Sequence, residues 1–489
     1  MGIVQKQGVS ITVISFVGVI IGAINTLFIF PNVLGAEKHG LVMLFLSLAT
    51  IIAQFAHLGI PNTLIRFFPF FKERKKFIYR LALQVPMMSF ALLSLLFYLF
   101  GAELFSTYSL KNQLFGEYQG ILIPMVGSLV FFEVLLSISR SELKAVFPAV
   151  LRELGLRIFT LLLLILYFVG WIDFTAFIYC WLGMYSLNVF FLALYLFKLK
   201  FLKVEFGFPL FPNADLSRKM RRYGLVTLLT SSAAILVNRI DILMVGHYIN
   251  IENISYYTVA FFMASLIHIP ARSILQIVKP LLAKAWAEEN LKEIALLYKK
   301  TALNQMLIGL LLFIGIWMSI DDILFFVAKE YSGIQMVFFY VGLAKLIDVS
   351  TGVNGAIIST SNQYKYDLYI NLLLIVVTIV SNMILIPIYG IDGAAMATAL
   401  ALLIHNVTKT IVVYNFFSIQ PFSLNSIKLI AIGLITYFSV NQLSFNIIES
   451  TLLRIVFRSL CITTLYMGAI LLFSVSADVK SQIKNILKR

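Results

Sequence analysis

Charge is the property this chain has least of. Asp, Glu, Lys and Arg supply 12% of its 489 residues, about half the ~25% of an ordinary soluble domain. With 60% of residues hydrophobic, too little polar side chain is left to clothe a water-facing surface. Cysteine is scarcer still. Cys180 and Cys461 each sit within an apolar run and read as small packing residues, not as a disulfide framework. The five histidines, at 39, 57, 247, 268 and 405, are scattered without the spacing of a metal ligand set. No Gly-x-x-x-x-Gly-Lys-Ser/Thr loop is present, and no soluble stretch is long enough to hold ATP, so no cofactor is expected. Energy for any transport must come from an ion gradient, the membrane potential or substrate concentration. The longest expected external loop, 102–118, is too short for the catalytic loop of a membrane-embedded glycan polymerase or ligase, and no enzymatic activity is expected. No loop can form a basic folded domain, which argues against a nucleic-acid partner.

What fills the chain instead is long apolar runs, such as 161–170 and 371–388. They do not alternate as barrel strands would. Their length suits helices crossing a hydrocarbon core of ~30 Å. Fourteen spans are expected, near 9–31, 40–62, 81–101, 119–138, 155–170, 175–197, 224–246, 254–277, 301–319, 334–356, 367–389, 393–414, 425–441 and 452–474. The first apolar stretch is too long for a signal-peptide core and reads as a retained helix. An even count puts both termini on one side. Loops on that side hold the basic residues of 66–80, 140–157, 198–222, 279–300 and 480–489, whereas the opposite loops hold only Lys38, Lys111 and Lys329. The positive-inside rule therefore places both termini in the cytoplasm. The net charge of +15 follows from that orientation and from attraction to anionic lipid headgroups.

The punctuated basic segment 198–223 divides the spans. The expected fold class is an all-α integral membrane protein with two six-helix bundles, 1–197 and 224–414, related by a pseudo-two-fold axis. Residues 415–489 add two helices and a basic cytoplasmic tail. The halves echo each other: Ile60-Pro61 with Pro69 beyond, and Ile269-Pro270 with Pro280 beyond, each precede a basic stretch. Six spans per half is even, so the halves are parallel repeats, a common transporter plan.

Three segments carry a resemblance. Pro31-Asn-Val-Leu-Gly-Ala-Glu-Lys-His-Gly-Leu41 resembles the first external loop of polysaccharide exporters. Arg239-Ile-Asp-Ile-Leu-Met-Val-Gly246, with Tyr256-Tyr257 after it, resembles their seventh span and its exit. Asn382-Met-Ile-Leu-Ile-Pro-Ile-Tyr-Gly-Ile-Asp-Gly-Ala-Ala-Met-Ala-Thr398 is similar to their turn between spans eleven and twelve. On these residues the chain resembles the polysaccharide biosynthesis, O-antigen flippase branch of the multidrug/oligosaccharidyl-lipid/polysaccharide exporter superfamily. The resemblance implies a flippase that carries a polyprenyl-pyrophosphate-linked oligosaccharide from the inner to the outer face of a bacterial cytoplasmic membrane. Polysaccharide polymerase machinery is an implied partner. The residues themselves say less. Gly390, Gly393, Ala394, Ala395 and Ala397 are small side chains that let helices approach closely.

Ionisable groups inside spans each cost a few kcal/mol unless paired or hydrated, so they are the first site candidates. Arg272 has no acid three or four residues away. Cavity contact with a phosphate, an interhelical ion pair and snorkelling are all open to it. Arg239 and Asp241, two apart, face different sides of their helix. Arg239 can add positive potential to a cavity, and Asp241 is a candidate proton site. Lys345 and Asp348, three apart, read as an internal salt bridge or as a protonation-gated pair. Lys409 can snorkel or take part in gating, and Glu133 can pair with an arginine. Asn25 and Gln54 are polar enough to line a cavity, and Arg66 stands at its cytoplasmic mouth. Substrate contact is thus expected at Arg272, Arg239, Arg66, Asn25 and Gln54. Ion coupling or gating is expected at Asp348, Lys345, Asp241, Glu133 and Lys409. The competing functions are an ion-coupled exporter of small drugs and a lipid II flippase.

Overall fold

A computed structural model of the chain describes residues 3–201, 214–445 and 447–475. Part of the expected linker, 202–213, and the expected basic tail from 476 onward lie outside the described residues. Among the described residues the regular structure is helical, with no strand. Nine helices of the described residues are long and apolar enough to cross a bilayer, or eleven if two bent pairs each count as one span. Two stretches, Ser10–Ala56 and Lys365–Phe417, are longer than one crossing needs. At 47 and 53 residues, these two stretches would run to ~70 and ~80 Å if straight, over twice the hydrocarbon thickness. Each is broken by a glycine in the left-handed region: Gly35 (φ 73°) and Gly390 (φ 60°). Both glycines fall in the gaps expected between spans.

The chain divides into two compact units, Met1–Ser255 and Tyr256–Arg489. The first holds α1 (Ile3–Ile24), α2 (Phe30–Ala56), α3 (Ile60–Phe67), α4 (Lys75–Leu104), α5 (Leu122–Ser141), α6 (Leu156–Phe168), α7 (Phe174–Lys198) and α8 (Ala214–Tyr248). This division falls later than the expected lobe boundary because α8, the seventh span, packs along α2. Helix α5 is central. It packs on α2, α3, α4 and α7, and most of its length is buried. Helix α4 is peripheral and presents Leu92, Leu95, Leu99 and Phe100 outward. Both helices are apolar all round, so hydrophobic period cannot tell the core helix from the lipid-facing one. Small and hydroxyl side chains do: Gly127 lets Phe90 of α4 lie against α5, and Ser128 meets Ser186 of α7 at 3.0 Å.

Helix α9 (Ile251–Ser265) leads into the second unit, which holds α10 (Ile269–Ala287), α11 (Leu291–Met318), α12 (Gln335–Ser350), α13 (Asn354–Thr360), α14 (Lys365–Phe417), α15 (Leu424–Asn441) and α16 (Thr451–Leu472). Helix α12 lies between α11 and α14. The break at Gly390 folds α14 back so tightly that a side chain on Gly393 would stand 2.0 Å from the Leu385 carbonyl oxygen. Ala394, Ala395 and Ala397 are fully buried beside it. A backbone carbonyl cannot yield as a flexible side chain would. Gly393→Val is therefore expected to cost at least the ~1–3 kcal/mol of ordinary overpacking. A lowered melting temperature in detergent would show it, and an unchanged one would rule out this reading of the turn.

Two in-span cations beyond those named from sequence, Arg454 and Arg458, hold the last helix in place. Asp322, in the short helix Ile320–Leu324, meets Arg454 at 3.2 Å and Arg458 at 2.5 Å. Arg458 also donates to the Met318 carbonyl at 2.6 Å. All three side chains are largely buried. Asp322→Ala leaves two guanidinium groups without their carboxylate, a loss of ~3–5 kcal/mol for a buried pair. A thermal melt unaffected by this substitution would show that water already solvates the cluster.

Candidate functional site

A polar cavity of about 390 Å³ opens within the first unit. Helical spacing selects its lining. Helix α8 contributes Ser231, Ile235 and Arg239 at steps of four, α7 contributes Tyr185 and Asn188 three apart, and α5 contributes Ser128, Phe132 and Glu133. Gln54 and His57 come from the end of α2, and Asn62 from α3. Gly59 (φ 70°) makes the turn between those two helices, and a side chain there would stand 2.3 Å from the Gly224 carbonyl oxygen of α8. Only glycine combines that backbone with that approach.

The hydrogen bonds on one wall run in one direction. The Gly59 amide donates to His57 Nδ1 at 3.2 Å, so Nε2 carries the proton and donates to Gln54 Oε1 at 3.1 Å. Gln54 Nε2 then donates to Ser231 Oγ at 2.6 Å, and Ser231 donates to the Thr227 carbonyl at 2.6 Å. This wall is satisfied and fixed. On another wall Arg152 is carried into the cavity by a π-helical turn, Leu151–Gly155, and pairs with Glu133 at 2.9 Å. Arg239 differs from both. It makes a long 3.5 Å approach to Ser47 Oγ, and no carboxylate of the described residues pairs with it. With Arg152 and Glu133 neutralising each other, Arg239 leaves the cavity with one uncompensated positive charge.

Of the residues expected from sequence, Gln54, Glu133 and Arg239 meet here. Three others of the first unit do not. Asn25 is buried in a π-helical turn, Asn25–Ile29, and donates to the Arg157 carbonyl at 2.9 Å, so it joins α1 to α6 and does not face the cavity. Arg66 is exposed, with its guanidinium 4.3 Å over the ring of Tyr223. Asp241 is buried outside the cavity lining.

A second polar cavity, about 280 Å³, lies within the second unit. Asp348 on α12 accepts from His268 Nε2 at 3.1 Å and from Asn406 Nδ2 of α14 at 3.0 Å. Asn406 Oδ1 in turn accepts from Thr351 Oγ1 at 2.9 Å. Lys409 pairs with Asp367 at 3.2 Å and lies close over Gly355, so it turns inward and does not snorkel. Lys279, Gln305, Asn354 and Ser359 add to the polar lining. Lys345 reaches over the ring of Phe261 at 5.0 Å, while the hydrogen bonds to Asp348 come from His268 and Asn406. Arg272 is exposed, lines neither cavity and makes no ion pair with the described residues.

Sequence reasoning passed over Arg152, which it placed in a loop, His268, which it set aside as scattered, and Asp367, which lies at the edge of a span. Each is partnered by a residue it did name: Glu133, Asp348 and Lys409. The available signal was a titratable side chain near an unexplained charge of complementary character on another span.

No family model matches the chain. Over 213 residues it is 21% identical to a probable low-salt glycan biosynthesis flippase, Agl15, of Haloferax volcanii; the match spans 43% of this chain and 44% of that relative's length. The likeness to solved structures covers far more. A lipid II flippase, MurJ, in an inward closed conformation superposes with a TM-score of 0.74 at 16% identity, over 95% of this chain and 98% of that one. An inward-facing multidrug resistance MATE family transporter of the MOP superfamily superposes with a TM-score of 0.64 at 14% identity, over 82% and 94%. At such identities the likeness is one of fold. The chain has the multi-helix membrane fold seen in the MurJ flippase and in the MATE transporter.

Proposed function

We propose that the chain is a flippase for a polyprenyl-pyrophosphate-linked oligosaccharide, such as an O-antigen repeat unit. It would move this substrate from the cytoplasmic to the outer face of the inner membrane by alternating access and hand it to polysaccharide polymerase machinery. The observation that carries the reading is Arg239, a cation without a carboxylate in a polar cavity. A guanidinium in such a place favours a phosphate that it can hold bidentately. Tyr185 and Asn188 offer a ring face and an amide group to sugars. Lipid II translocation is the second reading, favoured by the fold likeness to MurJ. Export of small molecules is the third, favoured by the likeness to the MATE transporter.

Deleting the gene separates these readings. The proposed function requires lipid-linked oligosaccharide to accumulate on the cytoplasmic face, with rescue by the wild-type chain. Accumulation of lipid II in its place selects the second reading. Drug hypersensitivity with both glycolipids normal selects the third.

A further inference from the structure

Helix α8 carries two stripes with different destinations. The cavity stripe is Ser231, Ile235 and Arg239. On another side of the helix, roughly 100° around its axis, Arg218, Arg222, Leu225 and Leu229 follow at steps of four, three and four residues, which on a helix is a single line. All four are exposed, Leu225 at 62% and Leu229 at 55%. Leu216, Met220 and Tyr223 turn a different way, into the apolar cluster around Leu64, Phe67 and Phe71. On a membrane helix an exposed leucine line faces acyl chains. The arginines extend that line by about two turns, which sets them at headgroup height and on the lipid side.

The neighbouring element repeats the pattern. Arg66 stands exposed with its guanidinium over Tyr223, and Phe70, four residues on, is 70% exposed. Arg66, Arg218 and Arg222 have no carboxylate partner among the described residues, since Asp215, the acid of the first turn of α8, is paired with Lys219 at 2.7 Å. Exposed aromatic and apolar side chains beside uncompensated cations are the composition of an interfacial lipid contact.

We propose that Arg66, Phe70, Arg218 and Arg222 form a docking surface for anionic phospholipid headgroups. The occupant is a phospholipid and not the substrate's pyrophosphate, because the stripe faces lipid and not the cavity. The proposal rests on the membrane fold alone and stands whichever substrate the cavity takes. Each surface arginine contributes roughly fivefold to binding of an anionic headgroup.

The test uses the purified full chain in detergent with added phosphatidylglycerol or phosphatidylcholine, counting retained lipids by native mass spectrometry. The wild-type chain is expected to prefer phosphatidylglycerol by tenfold or more. The triple variant Arg66→Gln, Arg218→Gln, Arg222→Gln should lose that preference, whereas Lys292→Gln with Lys299→Gln should keep it. If the triple variant does not fold, the wild-type chain decides the matter in salt: a preference that fades above roughly 0.5 M, where screening is nearly complete, supports the surface. A preference kept by the folded triple variant, or persisting unchanged in high salt, overturns it. So does displacement of the lipid by millimolar inorganic pyrophosphate, which would assign the arginines to the substrate.

Discussion

Arg239→Ala is expected to lower translocation of lipid-linked oligosaccharide by roughly 30- to 700-fold, the equivalent of ~2–4 kcal/mol for removing one charged group from a partly buried pairing. A guanidinium held within the bilayer costs a few kcal/mol, and a structural role would recover that cost through a carboxylate. Arg152 is arranged in that way, with Glu133 at 2.9 Å. Arg239 is not, for what it approaches is a hydroxyl at 3.5 Å. On the proposed function, the favourable partner arrives with the substrate. Arg239→Lys keeps the charge but loses the planar fork, so its loss should fall between wild type and alanine. Arg272→Ala, a change outside both cavities, should cost much less. The readout is the rate at which labelled glycolipid changes leaflet in proteoliposomes, normalised to reconstituted protein. Wild-type rates from a well-folded Arg239→Ala chain would remove the cavity from the mechanism.

Much of the fold was readable from composition, because a bilayer leaves few choices. The breaks at Gly35 and Gly390 fall where apolar runs pause, and the exposed leucines of α4 and α8 follow from the same hydropathy. Lateral packing was not readable. A helix that is apolar on every side shows no period to say which face meets its neighbours. Asn25 was thus expected to line a cavity, yet it bonds the backbone of α6. Lys409 was free to snorkel until the fold brought Asp367 to it from the start of the same long helix, which folds back at Gly390. Arg152 looked like a cytoplasmic loop residue because no periodicity announces a π-helical turn. Charged side chains were legible as candidates, and their partners were set by folding.

With Asp348 as the proposed proton site, Asp348→Asn is expected to abolish the response of translocation to a proton gradient, with gradient-driven rates falling about 5- to 150-fold, the range of ordinary coupling energies. The carboxylate ties three elements together: His268 just before α10, Asp348 itself on α12, and Asn406 on α14. The charged and titratable groups around it are Lys345 one turn earlier, His405, and the Lys279, Asp367 and Lys409 side chains of the same cavity. A proton arriving on Asp348 removes the charge that holds the imidazole. It also turns one oxygen from acceptor to donor, so the tie between α10, α12 and α14 loosens in a single step. Asparagine imitates the loosened state permanently, and a permanently loosened tie cannot report a gradient. His268→Gln retains a hydrogen bond without a titratable ring, so it should weaken the response and leave part of it. Vesicles with an imposed pH difference and clamped membrane potential separate this from charge-driven transport. If Asp348→Asn flips glycolipid with the wild-type dependence on that pH difference, the second cavity is structural, and the driving force enters elsewhere.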